Sequence, residues 1–299
     1  MQKLSHIPVF LEVAKQQSFA KAAKHLGMAG PAASKQVMAL EEELGVKLLN
    51  RTTRLVTLTE EGLAFYERAR VAMDELKDAA AQIQESKTSP KGILRINAPL
   101  SFGQMHLLPV LSGFAKKYPD VRLEVSLDDR MIDVVEAGYD VVIRVGVPQD
   151  STLVSKHLAP CPILVVASQL YLAEHGWPRV PADLKNHRII AYSYQGGTSE
   201  WKYKDAANRI HSFRSEGVLR ANTSDMMLQA ALDGVGIAML PQFCVSTHIA
   251  AGTLIRLFPD HETYPERQIT ALMPPNRYRS AKVQLFLDWL TQSCKSMPL

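Results

Sequence analysis

A chain of 299 residues has room for about two domains of ordinary size. Its 46% hydrophobic and 21% charged residues place it among ordinary globular proteins, and a net charge of +4 permits an anionic partner without requiring one. Three widely separated cysteines (Cys161, Cys244, Cys294) exclude metal-ligand spacing and read as idle free thiols; no apolar run nears the ~20 residues of a bilayer span, and Glu12 and Lys15 interrupt any signal-peptide core, so a cytoplasmic protein is expected.

Leu4, Ile7, Phe10, Leu11 and Ala14 recur at three- and four-residue spacing, the stripe of a helix. Pro8 is tolerated if Ser5 caps that helix, because first-turn amides lack intrahelical acceptors. Ser18 is a natural N-cap for a second helix, with Phe19, Ala22, Ala23 and Leu26 inward and Gly27 as its left-handed stop. A third helix begins at Pro31 and runs to about residue 44, with Val37, Leu40 and Leu44 inward and Gly45 ending it. Its outward face offers Gly30, Ser34, Lys35 and Met38, of which Ser34 and Lys35 can bond bases or phosphate. Leu48-Leu49 and Leu55, Val56, Leu58 flank Asn50-Arg51-Thr52-Thr53-Arg54, a hairpin whose arginines suit phosphate or the minor groove.

From Lys15 to Arg54 seven lysines and arginines face only Glu41, Glu42 and Glu43. A generic alanine-rich helix pair with a solvated charged face is the competing explanation, and the hairpin weighs against it. A winged helix-turn-helix is therefore expected over residues 1–60. Thr59, Glu60 and Glu61 open a long helix to about residue 87, with Leu63, Tyr66, Ala69, Arg70, Met73, Leu76, Ala80 and Ile83 at helical spacing. Such a stripe needs a partner, either the chain's own second domain or the same helix of another copy.

The polar stretch 87–92 carries Pro90 and Gly92 and marks a domain boundary. Beyond it, strands are expected at 93–97, 122–127 and 141–145, with helices at 103–118 and 131–137. A second series follows: strand 163–167, helix 168–175, strand 188–192, helix 223–233, strand 237–240 and helix 241–251. A strand at 269–273 and a helix at 280–293 finish the chain. This alternation predicts an α/β domain over 91–299 with a parallel sheet flanked by helices.

Ligand clefts in such sheets lie at the carboxyl ends of strands. The candidates are therefore Pro99, Leu100, Ser101 and Phe102 after the first strand, Asp128 after the second and Arg144 at the end of the third. Tyr192, Ser193, Asn222 and Thr223 take the same place in the second series, and Trp201 is a candidate aromatic wall. Each has a structural alternative: Ser101, Asn222 and Thr223 as helix caps, Arg144 as an ion-pair partner of Asp128 or Asp150.

Several motifs in a fixed order carry a family resemblance. They are Phe19-Ala20-Lys21-Ala22-Ala23, Pro31-Ala32-Ala33-Ser34-Lys35, the stretch 40–49, Arg51-Thr52-Thr53-Arg54 and Leu58-Thr59-Glu60-Glu61-Gly62. The sequence resembles the LysR-type transcriptional regulators over essentially its whole length, and the segments 98–103 and 140–146 are similar to one subfamily. The resemblance implies a winged helix-turn-helix, a linker helix over 61–88 that dimerises, and a two-lobed effector domain like periplasmic binding proteins. It places lobe I at about 91–160 with 267–299 and lobe II at about 161–266, with crossings near 158–162 and 263–267.

It further implies DNA contact by Ser18, Lys21, Gly30, Pro31, Ala32, Ser34, Lys35, Met38, Arg51, Thr52, Thr53 and Arg54. The implied partners are a pseudo-palindromic operator in double-stranded DNA, a small-molecule effector, further copies in a dimer, tetramer or larger assembly, and RNA polymerase as a candidate. No cofactor, metal or membrane is implied. One departure stands out: the usual Ser-Gln before the proline is Ala29-Gly30 here, which removes a helix cap and one base-reading side chain.

The rival class is an α/β enzyme or carrier whose N-terminal helices serve only assembly. Arg51 and Arg54 would then have no task. Gly234-Val235-Gly236 stands in the wrong order for a dinucleotide loop, His261-Glu262 lacks the second histidine of a zinc protease, and no Gly-x-Ser-x-Gly elbow occurs.

Overall fold

The computed structural model describes residues 4–51, 56–84, 90–130, 133–147, 152–193, 199–205, 207–278 and 280–297, without the side chains of Leu4, Arg51, Glu75, 77–84 and Ser199. The chain falls into two units, one comprising 1–86 with 135–138, the other the remainder.

In the first unit a 3-10 turn at Leu4–His6 leads into α1 (Ile7–Gln16), followed by α2 (Phe19–His25) and α3 (Gly30–Leu44). Phe10, Val13, Ala22, Ala33 and Val37 are fully buried where these helices cross. The small alanines permit that close approach. Ser5 does not cap α1; His6 occupies the cap position without a side-chain bond, because the preceding turn pushes the helix start two residues on. Strands β1 (Leu49–Arg51) and β2 (Val56–Leu58) pair antiparallel, Leu49 opposite Leu58. The long helix α4 (Glu60–Gln84) follows. Phe65, Tyr66, Ala69 and Met73 of its stripe pack on the core of this same unit, with the Phe65 ring 5.6 Å from Phe10. Leu63 and Leu76 stay exposed.

The second unit holds two five-stranded sheets. The first is built from β3 (Gly92–Ala98), β4 (Val121–Leu127), β5 (Val141–Gly146), β6 (Val154–Pro160) and, much later, β15 (Gln268–Met273). Its order is β4-β3-β5-β15-β6. Between β3 and β4 the chain runs through α5 (Leu100–Phe102), a π-helical stretch Gly103–Leu107 and α6 (Leu108–Lys117). The second sheet is ordered β11-β8-β12-β7-β13, from β7 (Ile163–Ser168), β8 (Ile189–Tyr192), β11 (Leu219–Ala221), β12 (Ile237–Pro241) and β13 (Leu254–Leu257). A small sheet β10-β9-β14 joins β9 (Ser199–Lys204), β10 (Ile210–Ser215) and β14 (Glu262–Tyr264). Helices α7 (Gln169–His175), α8 (Ser224–Leu232) and α9 (Gln242–Ala250) accompany the second sheet, and α10 (Pro275–Tyr278) and α11 (Ala281–Cys294) close the chain. The chain leaves the first sheet after Pro160 and returns to it at Gln268.

Two expectations are corrected. Both large sheets are mixed, not parallel: β3 runs parallel to β4 and β5, but β15 is antiparallel to β5 and β6. In the second sheet β8 is parallel to β11 and β12, and β7 is antiparallel to β12 and β13. The antiparallel members are those that arrive without the helical crossover a parallel pair requires. Of the helix expected at 131–137, residues 131 and 132 lie outside the described residues, and the described part is not helical: residues 134–138 form a turn, closed by Gly138 in the left-handed region (φ 71°).

Candidate DNA-contacting face and ligand cleft

On α3 the apolar side settles inward and leaves Pro31, Lys35 and Met38 exposed, with Gly30, Ala32 and Ser34 half-buried beside them. Pro31 occupies the first turn, and Ala29 caps the helix with no side-chain bond. On α2 the Ser18 hydroxyl accepts the Lys21 amide at 3.3 Å, and the Lys21 side chain is exposed. Asn50 is exposed on β1, and Arg51 ends that strand. Thr52, Thr53 and Arg54 lie outside the described residues.

Glu41, one of the three acids between Lys15 and Arg54, is only 2% exposed. Its Oε1 accepts the amides of Leu48 (3.0 Å) and Leu49 (3.2 Å), and Oε2 accepts Lys47 Nζ at 2.9 Å. Burial pushes its carboxyl up, and the Lys47 and backbone hydrogen bonds outweigh that and hold it below the usual value. Glu41 thus fixes the hairpin to the end of α3. Its signal was present: it lies four residues after Val37, on the inward stripe. Thr59 locks the other side, its Oγ1 donating to the Lys47 carbonyl at 2.7 Å and accepting the Gly62 amide at 2.9 Å. A Cβ at Gly62 would overlap the Leu48 carbonyl oxygen, which explains a glycine inside α4.

In the second unit the carboxyl ends of β3, β4 and β5 meet that of β8. Pro99 is the N-cap of α5, and the Leu100 amide donates to Asp129 Oδ2 at 3.1 Å. Asp129 Oδ1 accepts the Tyr192 hydroxyl at 3.2 Å, so one carboxylate ties the two sheets together. Burial raises the Asp129 carboxyl above its ordinary value. Arg144 Nη1 donates to Asn97 Oδ1 at 2.7 Å, and Asn97 is fully buried. Asp128 pairs with Arg130 at 2.6 Å rather than with Arg144, and that guanidinium holds its carboxyl low. Ser101 is 4% exposed, and its Oγ has no hydrogen-bond partner. Phe102 packs edge-on against Phe243 of α9 at 5.7 Å.

Pro99, Leu100, Ser101, Phe102, Asp128, Arg144 and Tyr192 are thereby gathered at these strand ends. Ser193 follows β8 and its carbonyl accepts Arg220 Nη2 at 3.4 Å. Thr223 acts as the cap of α8, accepting the Met226 amide at 3.4 Å, with Asn222 exposed before it. Trp201 does not belong to the group. It is 4% exposed in a different apolar cluster, edge-on to Phe213 at 6.2 Å. Asp129 and Asn97 were not anticipated; Asp129 stands one residue beyond the strand-end position that was chosen.

Among the described residues no cluster of three or more His, Cys, Asp or Glu could hold a metal ion, and no helix is long and apolar enough to cross a membrane. Residues 4–63 match the model of the bacterial regulatory helix-turn-helix protein, lysR family, and residues 87–295 match the LysR substrate binding domain. The HTH-type transcriptional regulator YhjC of Escherichia coli is 35% identical over 97% of both chains. CrgA of Neisseria meningitidis is 32% identical over 96% of this chain and 95% of that one. A solved structure of CrgA, a LysR-type transcriptional regulator, aligns with a TM-score of 0.62 at 31% identity over 97% of this chain and 98% of that one. The Vibrio cholerae virulence activator AphB aligns at 0.62 with 26% identity, over 97% and 99% of the two chains. A helix-turn-helix braced to its hairpin, followed by paired α/β sheets and matched along nearly its full length, makes this chain a member of the LysR family of transcriptional regulators.

Proposed function

We propose that this regulator binds a pseudo-palindromic operator as a dimer or higher assembly and that a small effector in the cleft between its two sheets controls that binding. The two sheets are taken as lobes I and II, divided near residues 161 and 267. DNA contact is assigned to Ser34, Lys35 and Met38 of α3, with Ser18 and Lys21 at α2 and the arginines of the 51–54 wing on phosphate. Self-association is assigned to α4, supported by the exposed Leu63 and Leu76.

The observation that carries the effector assignment is the Ser101 hydroxyl, buried and unpartnered at the strand ends where Arg144 and Asp129 converge. A buried hydroxyl without a partner is costly, and an oxygen-bearing ligand would satisfy it. Arg144 supplies positive charge, so the fitting effector is a small polar molecule with an anionic or hydroxyl oxygen. Asp129 joins both lobes through Leu100 and Tyr192, so a ligand that displaces either bond changes the balance between lobe arrangements. The effector must bind the two arrangements unequally for control to follow.

Thermal-shift screening of the full chain against small organic acids and alcohols, followed by operator titration with each hit, tests the assignment. A hit that shifts operator affinity in the parent but not in Ser101→Ala supports it. An equal response in Ser101→Ala removes Ser101 from the site.

A further inference from the structure

The chain passes between its two five-stranded sheets twice, after Pro160 and again before Gln268. The two passages touch: the Cys161 amide donates to the Arg267 carbonyl at 2.9 Å. Immediately beyond, Gln268 pairs with Gly146 at the end of β5 and with Pro160 at the end of β6. Arg267 is thereby fixed where the two sheets are joined.

Its side chain has no task in the fold. It is half-buried, and among the described residues its guanidinium makes no hydrogen bond and no ion pair. The titratable groups acting on it are the Cys161 thiol and the Tyr192 phenol, and neither Asp128 nor Asp129 is among them. Burial pushes that thiol up to about 12, so it brings no negative charge at neutral pH. Burial also pulls the guanidinium below its ordinary value, and no carboxylate among the described residues offsets it. Arg144 differs. It feels Asp129 and Asp128 as well as Tyr192, and its Nη1 is spent on Asn97 Oδ1 and the Ile143 carbonyl. Tyr192 acts on both arginines while its hydroxyl donates to Asp129, which ties Arg267 to the strand-end cleft. An arginine that braces a fold from such a place is normally paired, because an uncompensated charge removed from water costs stability.

We propose that Arg267 is the anion seat of the strand-end cleft and that the effector is a small organic carboxylate, held by both oxygens on this guanidinium with Tyr192 beside it. This rests on the cleft reading given above and narrows it, from any oxygen-bearing molecule to a monoanion. The planar guanidinium fork matches the two oxygens of a carboxylate. One unpaired cation neutralises one negative charge, and Asp129, bonded to Tyr192, disfavours a second, so a phosphate dianion fits less well. An anion seated on a passage between the sheets acts where their relative arrangement is set.

The test is calorimetric titration of the full-length chain with lactate, benzoate and salicylate, each against its neutral amide, and with inorganic phosphate at the same ionic strength. At least one acid should saturate at one per chain, about tenfold tighter than its amide, the worth of charge in a hydrogen bond, and tighter than phosphate. Arg267→Met should erase that gap. With no ligand present the same variant should melt no lower than the parent, whereas removing an arginine that braces the fold would lower Tm. Amides that match their acids, tighter phosphate binding, a gap that survives in Arg267→Met, a lowered Tm of the ligand-free variant, or no saturable acid at all would each overturn the proposal. Ser101→Ala separates it from the cleft reading. Acid binding lost in Arg267→Met but unchanged in Ser101→Ala supports Arg267 and removes Ser101; amides bound as tightly as their acids, and lost in Ser101→Ala, keep the cleft and overturn the carboxylate.

Discussion

Glu41 collects two backbone amides and a lysine on one carboxylate, and the hairpin's placement beside α3 depends on it. Glu41→Gln removes the charge from those hydrogen bonds, and a charge-assisted bond is worth about 1.5–3 kcal/mol. We expect a loss of that order in denaturant unfolding of the first unit, together with weaker DNA binding. The pH dependence has a definite sign. The folded state holds the carboxyl below its ordinary 4.5, so its contribution is complete above that pH and fades as pH falls through the lower folded value. Acid unfolding of the parent should therefore start at lower pH than that of a variant whose other hydrogen bonds are intact but whose Lys47 is replaced by Met. Coincident acid transitions would show that the pair does not matter. The cysteines behave oppositely: burial pushes Cys161 and Cys244 up to about 12 and Cys294 to about 11, so all three should resist thiol reagents until the chain unfolds. Rapid labelling of any of them in the native protein would contradict this.

At the scale of elements, α3 is a helix with a deficient start. Ala29 offers no side-chain bond to the free amides, so Ala29→Ser should add about 1 kcal/mol of stability. Denaturant titration decides it, and an unchanged midpoint would mean the first turn is already satisfied. On the exposed face, Lys35→Ala should lower operator affinity by about 1–3 kcal/mol while the far-ultraviolet spectrum stays native; unaltered footprints would remove Lys35 from the interface.

The helices of the first unit were legible because their apolar spacing, Ser18 cap and glycine stops agree, although Leu26, expected inward, is 39% exposed at the end of α2. Strand β9 was missed although Trp201 and Tyr203 alternate with Lys202 and Lys204, since a short charged run between turns reads equally as a loop. Strand β6 was missed for the same reason: Lys156 and His157 give a half-exposed strand little apolar signal. The mixed direction of the sheets was not legible, because β15 joins its sheet from more than a hundred residues away in sequence. The ligand cleft was readable as strand ends, yet Asp129 and Asn97 act through contacts that only the assembled sheets create. Tyr192 reaches Asp129 across 63 positions of chain.

For the whole molecule, the account joins a DNA-reading unit to a ligand-reading one and requires at least two copies to act together. The exposed Leu63 and Leu76 on α4 give that requirement a physical seat. The most direct test selects duplexes from a randomised pool with the full-length chain, then measures affinity for the winner and a scrambled duplex across a salt series. The account predicts a pseudo-palindromic winner, bound by an even number of copies, preferred over the scrambled duplex, and weakening linearly in log–log form as salt rises. Equal affinity for both duplexes, or a single copy bound to an asymmetric site, would contradict it.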